Sequence, residues 1–111
     1  MTPVCSNYAF KEATKAEKSE YTSNVQGEVV IVQVTGTATN LSLNLLGLVD
    51  FTQDEWATLT GINTNGFTTV STITENGIYE FPIEGLARFK FNLAAVSGGA
   101  VTVFFRVGKG D

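Results

Sequence analysis

The chain contains no histidine, one cysteine, two prolines and few charges, and each shortage closes off a class of function. Without histidine there is no side chain whose ordinary pKa lies near neutrality, so the usual general base and the commonest metal ligand are missing. A Ser-His-Asp or Cys-His arrangement cannot be assembled, and zinc sites built from cysteine and histidine are excluded. The single cysteine, Cys5, cannot close an internal disulfide; it reads as a small apolar residue or free thiol near a terminus. No apolar run approaches the ~20 residues that a membrane-spanning helix needs, so no membrane partner is expected. Met1 to Phe10 shows no basic stretch followed by an apolar block, so the protein is expected to stay in the cytoplasm or to leave by lysis. Neither a Gly-x-x-x-x-Gly-Lys phosphate loop nor a dinucleotide fingerprint occurs, and no cofactor is expected. Charged residues make up 16% of the chain and the net charge is −4, which offers phosphate backbones no attraction and argues against nucleic acid as a partner.

What the chain does have is strand and turn grammar. Its 111 residues suit one domain, and a hydrophobic content of 43% supports a buried core. In Ala87 to Leu93 the odd positions are apolar and the even ones polar, the mark of a strand with one wet face and one core face. Val29 to Thr35 is a β-branched run in which Val30, Val32 and Val34 share a face. Leu41, Leu43 and Leu45 alternate with Ser42 and Asn44. Further strands are read at Glu55–Gly61, Phe67–Ile73, Gly77–Pro82 and Ala100–Val107. Glycine-containing turns separate them, among them Asn76-Gly77, Glu84-Gly85 and Ser97-Gly98-Gly99, which supply positive φ at low steric cost.

Strands recurring at this spacing predict an all-β protein: a single antiparallel β-sandwich, jelly-roll-like, of about seven or eight strands. Two packed sheets close the apolar face that each would leave open alone. The expected core is Val30, Val32, Val34, Leu41, Leu43, Leu45, Trp56, Tyr79, Phe81, Phe89, Phe91, Leu93, Val101, Val103 and Phe105. Residues 1–26 differ from the sandwich domain at 27–111. Phe10 to Glu20 holds six charged residues in eleven, with no apolar stripe to stabilise a helix. The segment reads as a polar N-terminal arm with short strands near Asn7–Lys11 and Glu20–Val25.

Carboxylates are the only catalytic groups left. Asp50, Asp54 and Glu55 cluster around Phe51-Thr52-Gln53, but without the turn glycine of an ordered Ca²⁺ loop, so the segment reads as a solvated acidic loop. A paired-carboxylate glycosidase would need Asp54 or Glu55 with Glu80 or Glu84, and a deep cleft that a domain this small rarely offers. The chain is therefore expected not to be an enzyme. Trp56, Tyr79, Tyr21 and Phe67 would stack on sugars if exposed, which keeps a carbohydrate-binding module open as an alternative. Phe104 falls on the opposite face from Val103 and Phe105, beside Thr102 and Arg106, and Ile31 is similarly outward. Exposed apolar residues on an outward face suggest contact with another protein chain.

Several stretches together resemble a family of small β-sandwich proteins and domains found in tailed-bacteriophage virions. They are Trp56, Leu59-Thr60-Gly61, Gly77-Ile78-Tyr79-Glu80-Phe81, Gly85-Leu86-Ala87-Arg88-Phe89-Lys90-Phe91 and Ser97-Gly98-Gly99-Ala100-Val101-Thr102-Val103, preceded by Val32-Gln33-Val34-Thr35-Gly36-Thr37. Where that family often carries a Ser-x-Asp-Gly-like turn, Val49 to Glu55 stands without the glycine. The resemblance implies a virion structural role with no catalytic residues, and a protein assembled into virions in the host cytoplasm. Capsid decoration or head association is the leading expectation, with other virion subunits as partners and a symmetric homo-oligomer compatible with repeated contacts. Ile31, Arg88, Lys90, Phe104 and Arg106 are the candidate interface residues.

Overall fold

A computed structural model describes residues 6–22, 29–50, 52 and 55–108 of the chain. Ten strands follow one another: β1 (Ser6–Ala13), β2 (Glu17–Thr22), β3 (Val29–Gly36), β4 (Asn40–Leu48), β5 (Ala57–Thr58), β6 (Gly61–Asn63), β7 (Thr68–Val70), β8 (Gly77–Pro82), β9 (Arg88–Ser97) and β10 (Val101–Gly108). They form two antiparallel sheets, one of six strands in the order β1-β10-β3-β8-β6-β7 and one of four in the order β2-β9-β4-β5. Among the described residues there is no helix. Setting aside the β6–β7 hairpin leaves β1-β10-β3-β8 facing β2-β9-β4-β5, which is the strand order of a jelly roll.

The alternation read from the sequence sets the core. Val30, Val32 and Val34 from β3, Leu41, Leu43 and Leu45 from β4, Tyr79 and Phe81 from β8, Phe89, Phe91 and Leu93 from β9, and Val101, Val103 and Phe105 from β10 are all buried between the sheets. Four rings, Tyr21, Phe89, Phe91 and Phe105, zip the layers together. Tyr21 of β2 lies 4.6 Å from Phe105 of β10, and Phe91 of β9 lies 5.0 Å from Phe105, centroid to centroid. Such offset and tilted pairs add to the stabilisation given by their buried area.

Trp56 is a correction. It was expected in the core, but it is only half-buried and lies outside the central cluster. The expected strand Glu55–Gly61 is in fact two, β5 and β6, which belong to different sheets; Trp56 precedes β5, and since Leu59, three positions on, packs against the core, alternation turns Trp56 outward. Ile73 and Ile83 are further core positions: Ile83 continues the alternation of Tyr79 and Phe81 just past the end of β8, whereas Ile73 lies in no clearly alternating run. The Ile73 backbone exchanges hydrogen bonds of 2.8 and 2.9 Å with Leu43, so the β7–β8 connection pairs with the edge of β4.

The segment read as a polar arm supplies one edge strand to each sheet: β1 pairs with β10, and β2 with β9. Register shifts in β1 fall between Tyr8 and Phe10 and between Phe10 and Ala13, with Glu12 at φ 51. These bulges let Phe10 and Ala13, three residues apart, both face inward, which strict alternation forbids. The Tyr21 hydroxyl donates to the Tyr8 carbonyl at 3.3 Å and ties the two strands together. The end of the strand expected at Glu20–Val25 and Cys5 lie outside the described residues.

Two glycines have specific duties. Gly98 has φ +76 in the β9–β10 turn, in the left-handed region that L side chains avoid. At Gly61 a Cβ atom would stand 2.6 Å from the Phe81 ring, so a bare backbone is what lets β6 cross over the core.

Candidate interaction surface

Side chains that alternate away from the core define two outer faces. On the six-stranded sheet, one row crosses four strands or their connections: Tyr8 opposite Phe104, Phe104 opposite Gln33, and Gln33 opposite Ile78. The next row runs Arg106, Ile31, Glu80, Ile62, Thr69. Tyr8 is 48% exposed, Ile31 39%, Ile62 41% and Ile78 43%, so this face carries several large apolar groups in water. Tyr8 and Phe104 meet edge to face, with centroids 5.0 Å apart. The Lys11 ammonium lies 5.4 Å from the Tyr8 ring centre. At the β6–β7 end of the second row, Val29, Ile62, Thr69, Glu80 and Pro82 line a shallow, mostly apolar groove of about 280 Å³.

Three of the candidate interface residues, Ile31, Phe104 and Arg106, stand together on this face. Arg88 and Lys90 do not. They alternate outward from β9, on the far side of the sandwich. There Arg88 approaches Glu20 at 3.9 Å, and the Lys90 ammonium lies 4.3 Å from the centre of the Trp56 ring. Trp56 is thereby laid across the outside of the four-stranded sheet, where Leu48 is also buried, apart from the main core.

The remaining candidates scatter. Tyr79 is buried and its hydroxyl donates to the Glu75 carbonyl at 2.7 Å. Burial, and secondarily the charge of Glu75, push the Tyr79 phenol above its ordinary value. Tyr21 is packed into the ring cluster, Trp56 has a cation over one face, and Phe67 stands at the tip of the β6–β7 hairpin on the other sheet. The four aromatics proposed for sugar stacking therefore do not gather into one patch. Glu80 lies on the outer face of the six-stranded sheet, while Glu55 adjoins Trp56 on the other side. Asp54 lies outside the described residues. The Asp50 carboxylate accepts hydrogen bonds of 2.9 Å from both the backbone N–H and the hydroxyl of Thr52, and these hold its pKa below the ordinary value. Its role here is to shape a turn. Among the described residues no three acidic or cysteine side chains are grouped closely enough to hold a metal ion.

Tyr8, Ile62 and Ile78 were not singled out from the sequence. Ile78 was legible, since it alternates with Tyr79 and Phe81. Tyr8 was hidden by the bulges of β1, and Ile62 by the shortness of β6.

A family model described as XepA matches residues 5–107, nearly the whole sandwich. The chain belongs to the XepA family. Two solved structures are similar to it. The SPBc2 prophage-derived protein YomS superposes with a TM-score of 0.79 at 21% identity, over 93% of this chain and 91% of YomS. The PBSX exported protein XepA gives a TM-score of 0.83 at 19% identity, over 92% of this chain but only 36% of XepA. At such identities the likeness is one of fold, and this chain spans about a third of the XepA protein's length. No curated protein matches the chain.

Proposed function

We propose that this XepA-family chain is a non-enzymatic virion structural protein that decorates the capsid or head and adheres to other virion subunits through the outer face of its six-stranded sheet. The observation that carries this reading is the set of exposed apolar side chains Tyr8, Ile78, Ile31 and Ile62, with the half-buried Phe104 among them, on one face of the sheet. Burying a side chain of that size fully is worth roughly 1.5–3 kcal/mol, and a cluster of them meets the need of an interface for a central apolar anchor. Arg106 and Glu80 flank Ile31 across the strands and would fix the orientation of the partner. The prophage origin of YomS and XepA agrees with a phage setting. The absence of histidine and the scatter of the carboxylates favour binding over catalysis.

The test is sedimentation of purified particles from an induced lysogen, with the protein supplied and with its gene deleted. The protein is expected to travel with wild-type particles and to rebind deleted ones. Protein that stays in the supernatant in both arms would sink the proposal. The rival, a sugar-binding module, would be favoured by glycan-array binding that Trp56→Ala abolishes.

A further inference from the structure

One large apolar side chain stands further into water than any on the sheet face: Phe67, 79% exposed. It closes the loop between β6 and β7, after Asn63-Thr64-Asn65-Gly66, and its own φ is 57. A bulky residue in the left-handed region is uncommon, and Asn or Gly would sit there with less strain. Nothing in the fold rewards the phenylalanine, since it is not part of the core cluster. A position that carries both backbone strain and an exposed ring is one where packing within the chain does not explain the residue.

The loop is nevertheless held firmly. The Thr64 backbone N–H and hydroxyl both donate to the Ile78 carbonyl, at 3.0 and 2.9 Å, and the Asn65 N–H donates to the Asn63 side chain at 3.0 Å. Ile78 ends the row that begins with Tyr8 and Phe104. The hairpin tip thus adjoins Ile78, past the last long strand of the sheet. No charged residue occurs from Trp56 to Thr74, so the ring is presented on an uncharged tip.

We infer that Phe67 is the anchor of the docking surface, a preorganised aromatic side chain that enters an apolar, uncharged socket on a partner protein of the virion. This rests on the proposed virion role. A rigidly presented aromatic that fills a pocket is the typical dominant contact of a protein interface. A lipid surface is the poorer fit. The tip has no lysine or arginine, the chain is acidic, and one aromatic ring gives too little membrane affinity to anchor a protein.

The substitution Phe67→Asn separates the two contributions of the residue. Asn accepts the left-handed backbone, so the variant should melt at the same temperature as the wild type or a few degrees higher, by about 4 °C at most. Its binding to purified particles should fall by at least about tenfold. Wild type that binds particles together with a Phe67→Asn variant that binds equally well would overturn the anchor and leave the virion role standing. Wild type that fails to bind would overturn both. Binding of the wild type to phosphatidylcholine vesicles that Phe67→Asn abolishes would overturn the protein socket in favour of a lipid surface.

Discussion

On the outside of the four-stranded sheet, large side chains are answered within the chain. Lys90 lies over Trp56, Glu20 approaches Arg88, and Leu48 is buried although it is separate from the main core. On the outside of the six-stranded sheet, Tyr8, Ile31, Ile62 and Ile78 remain open to water. Both faces arise from the same alternation of inward and outward positions. What differs is the cover: the Trp56 ring lies against Lys90 on one face, whereas the β6–β7 hairpin extends the other sheet sideways and leaves its face bare. A covered face has its interactions satisfied at home, and a bare apolar face retains binding energy for a partner.

The comparison depends first on the core that holds the two sheets apart. Phe105 touches Tyr21, Phe89 and Phe91 from across the sandwich. Phe105→Ala should cost about 3–5 kcal/mol in urea denaturation, and both faces should be lost together. A cost below about 1 kcal/mol would mean that the ring cluster does not join the sheets.

The faces themselves are separated by paired substitutions. Ile31→Ser combined with Phe104→Ser should weaken particle binding by about 2 kcal/mol or more, roughly thirtyfold, while the fold persists by circular dichroism. Lys90→Gln should leave that binding unchanged and cost about 0.5–1 kcal/mol of stability through loss of the contact with Trp56. Fluorescence of Trp56, the only tryptophan, reports that loss directly. Binding that follows Lys90 and ignores Ile31 would reverse the assignment of the faces.

A smaller effect concerns pH. The Tyr79 phenol is raised from its ordinary value of 10.0, so the folded state holds the proton more tightly than the unfolded chain does. Its contribution is fully present below pH 10 and is lost as the pH rises through the folded value. Wild-type protein should therefore lose urea stability above about pH 10 more steeply than Tyr79→Phe. Parallel curves would remove Tyr79 from the account.

Much of this architecture was legible in the sequence, and the failures have physical causes. β3, β8, β10 and β9 as far as Leu93 alternate cleanly, and their inward residues are buried as the pattern requires. In β9 the pairing shifts between Ser42 and Leu43 of its partner, so that Leu93 and then Val96 both pack against the core. The same device in β1, where the sequence reads as a short strand near Asn7–Lys11, hid the inward pair Phe10 and Ala13, because bulges break the period of two on which the reading relies. Trp56 was misplaced because Leu59, three positions on, takes the inward side and leaves the tryptophan on the outer one. The interface residues were half legible. Alternation marks a residue as outward, which fits Ile31, Phe104, Arg88, Lys90 and Arg106 alike. It does not say which sheet the strand joins, and that alone divides these five between opposite faces. Phe67 carried no periodic signal, because its significance lies in a backbone angle and in exposure.

The central claim is that the six-stranded face meets the partner and the four-stranded face meets solvent. A reconstruction of particles that carry the protein, at a resolution that distinguishes the two sheets, tests it most directly. The account predicts a neighbouring subunit over Tyr8, Ile31, Ile78 and Phe104, with Trp56 and Lys90 facing outward. A subunit docked across Trp56 and Lys90, with Ile31 and Phe104 left in solvent, would contradict it.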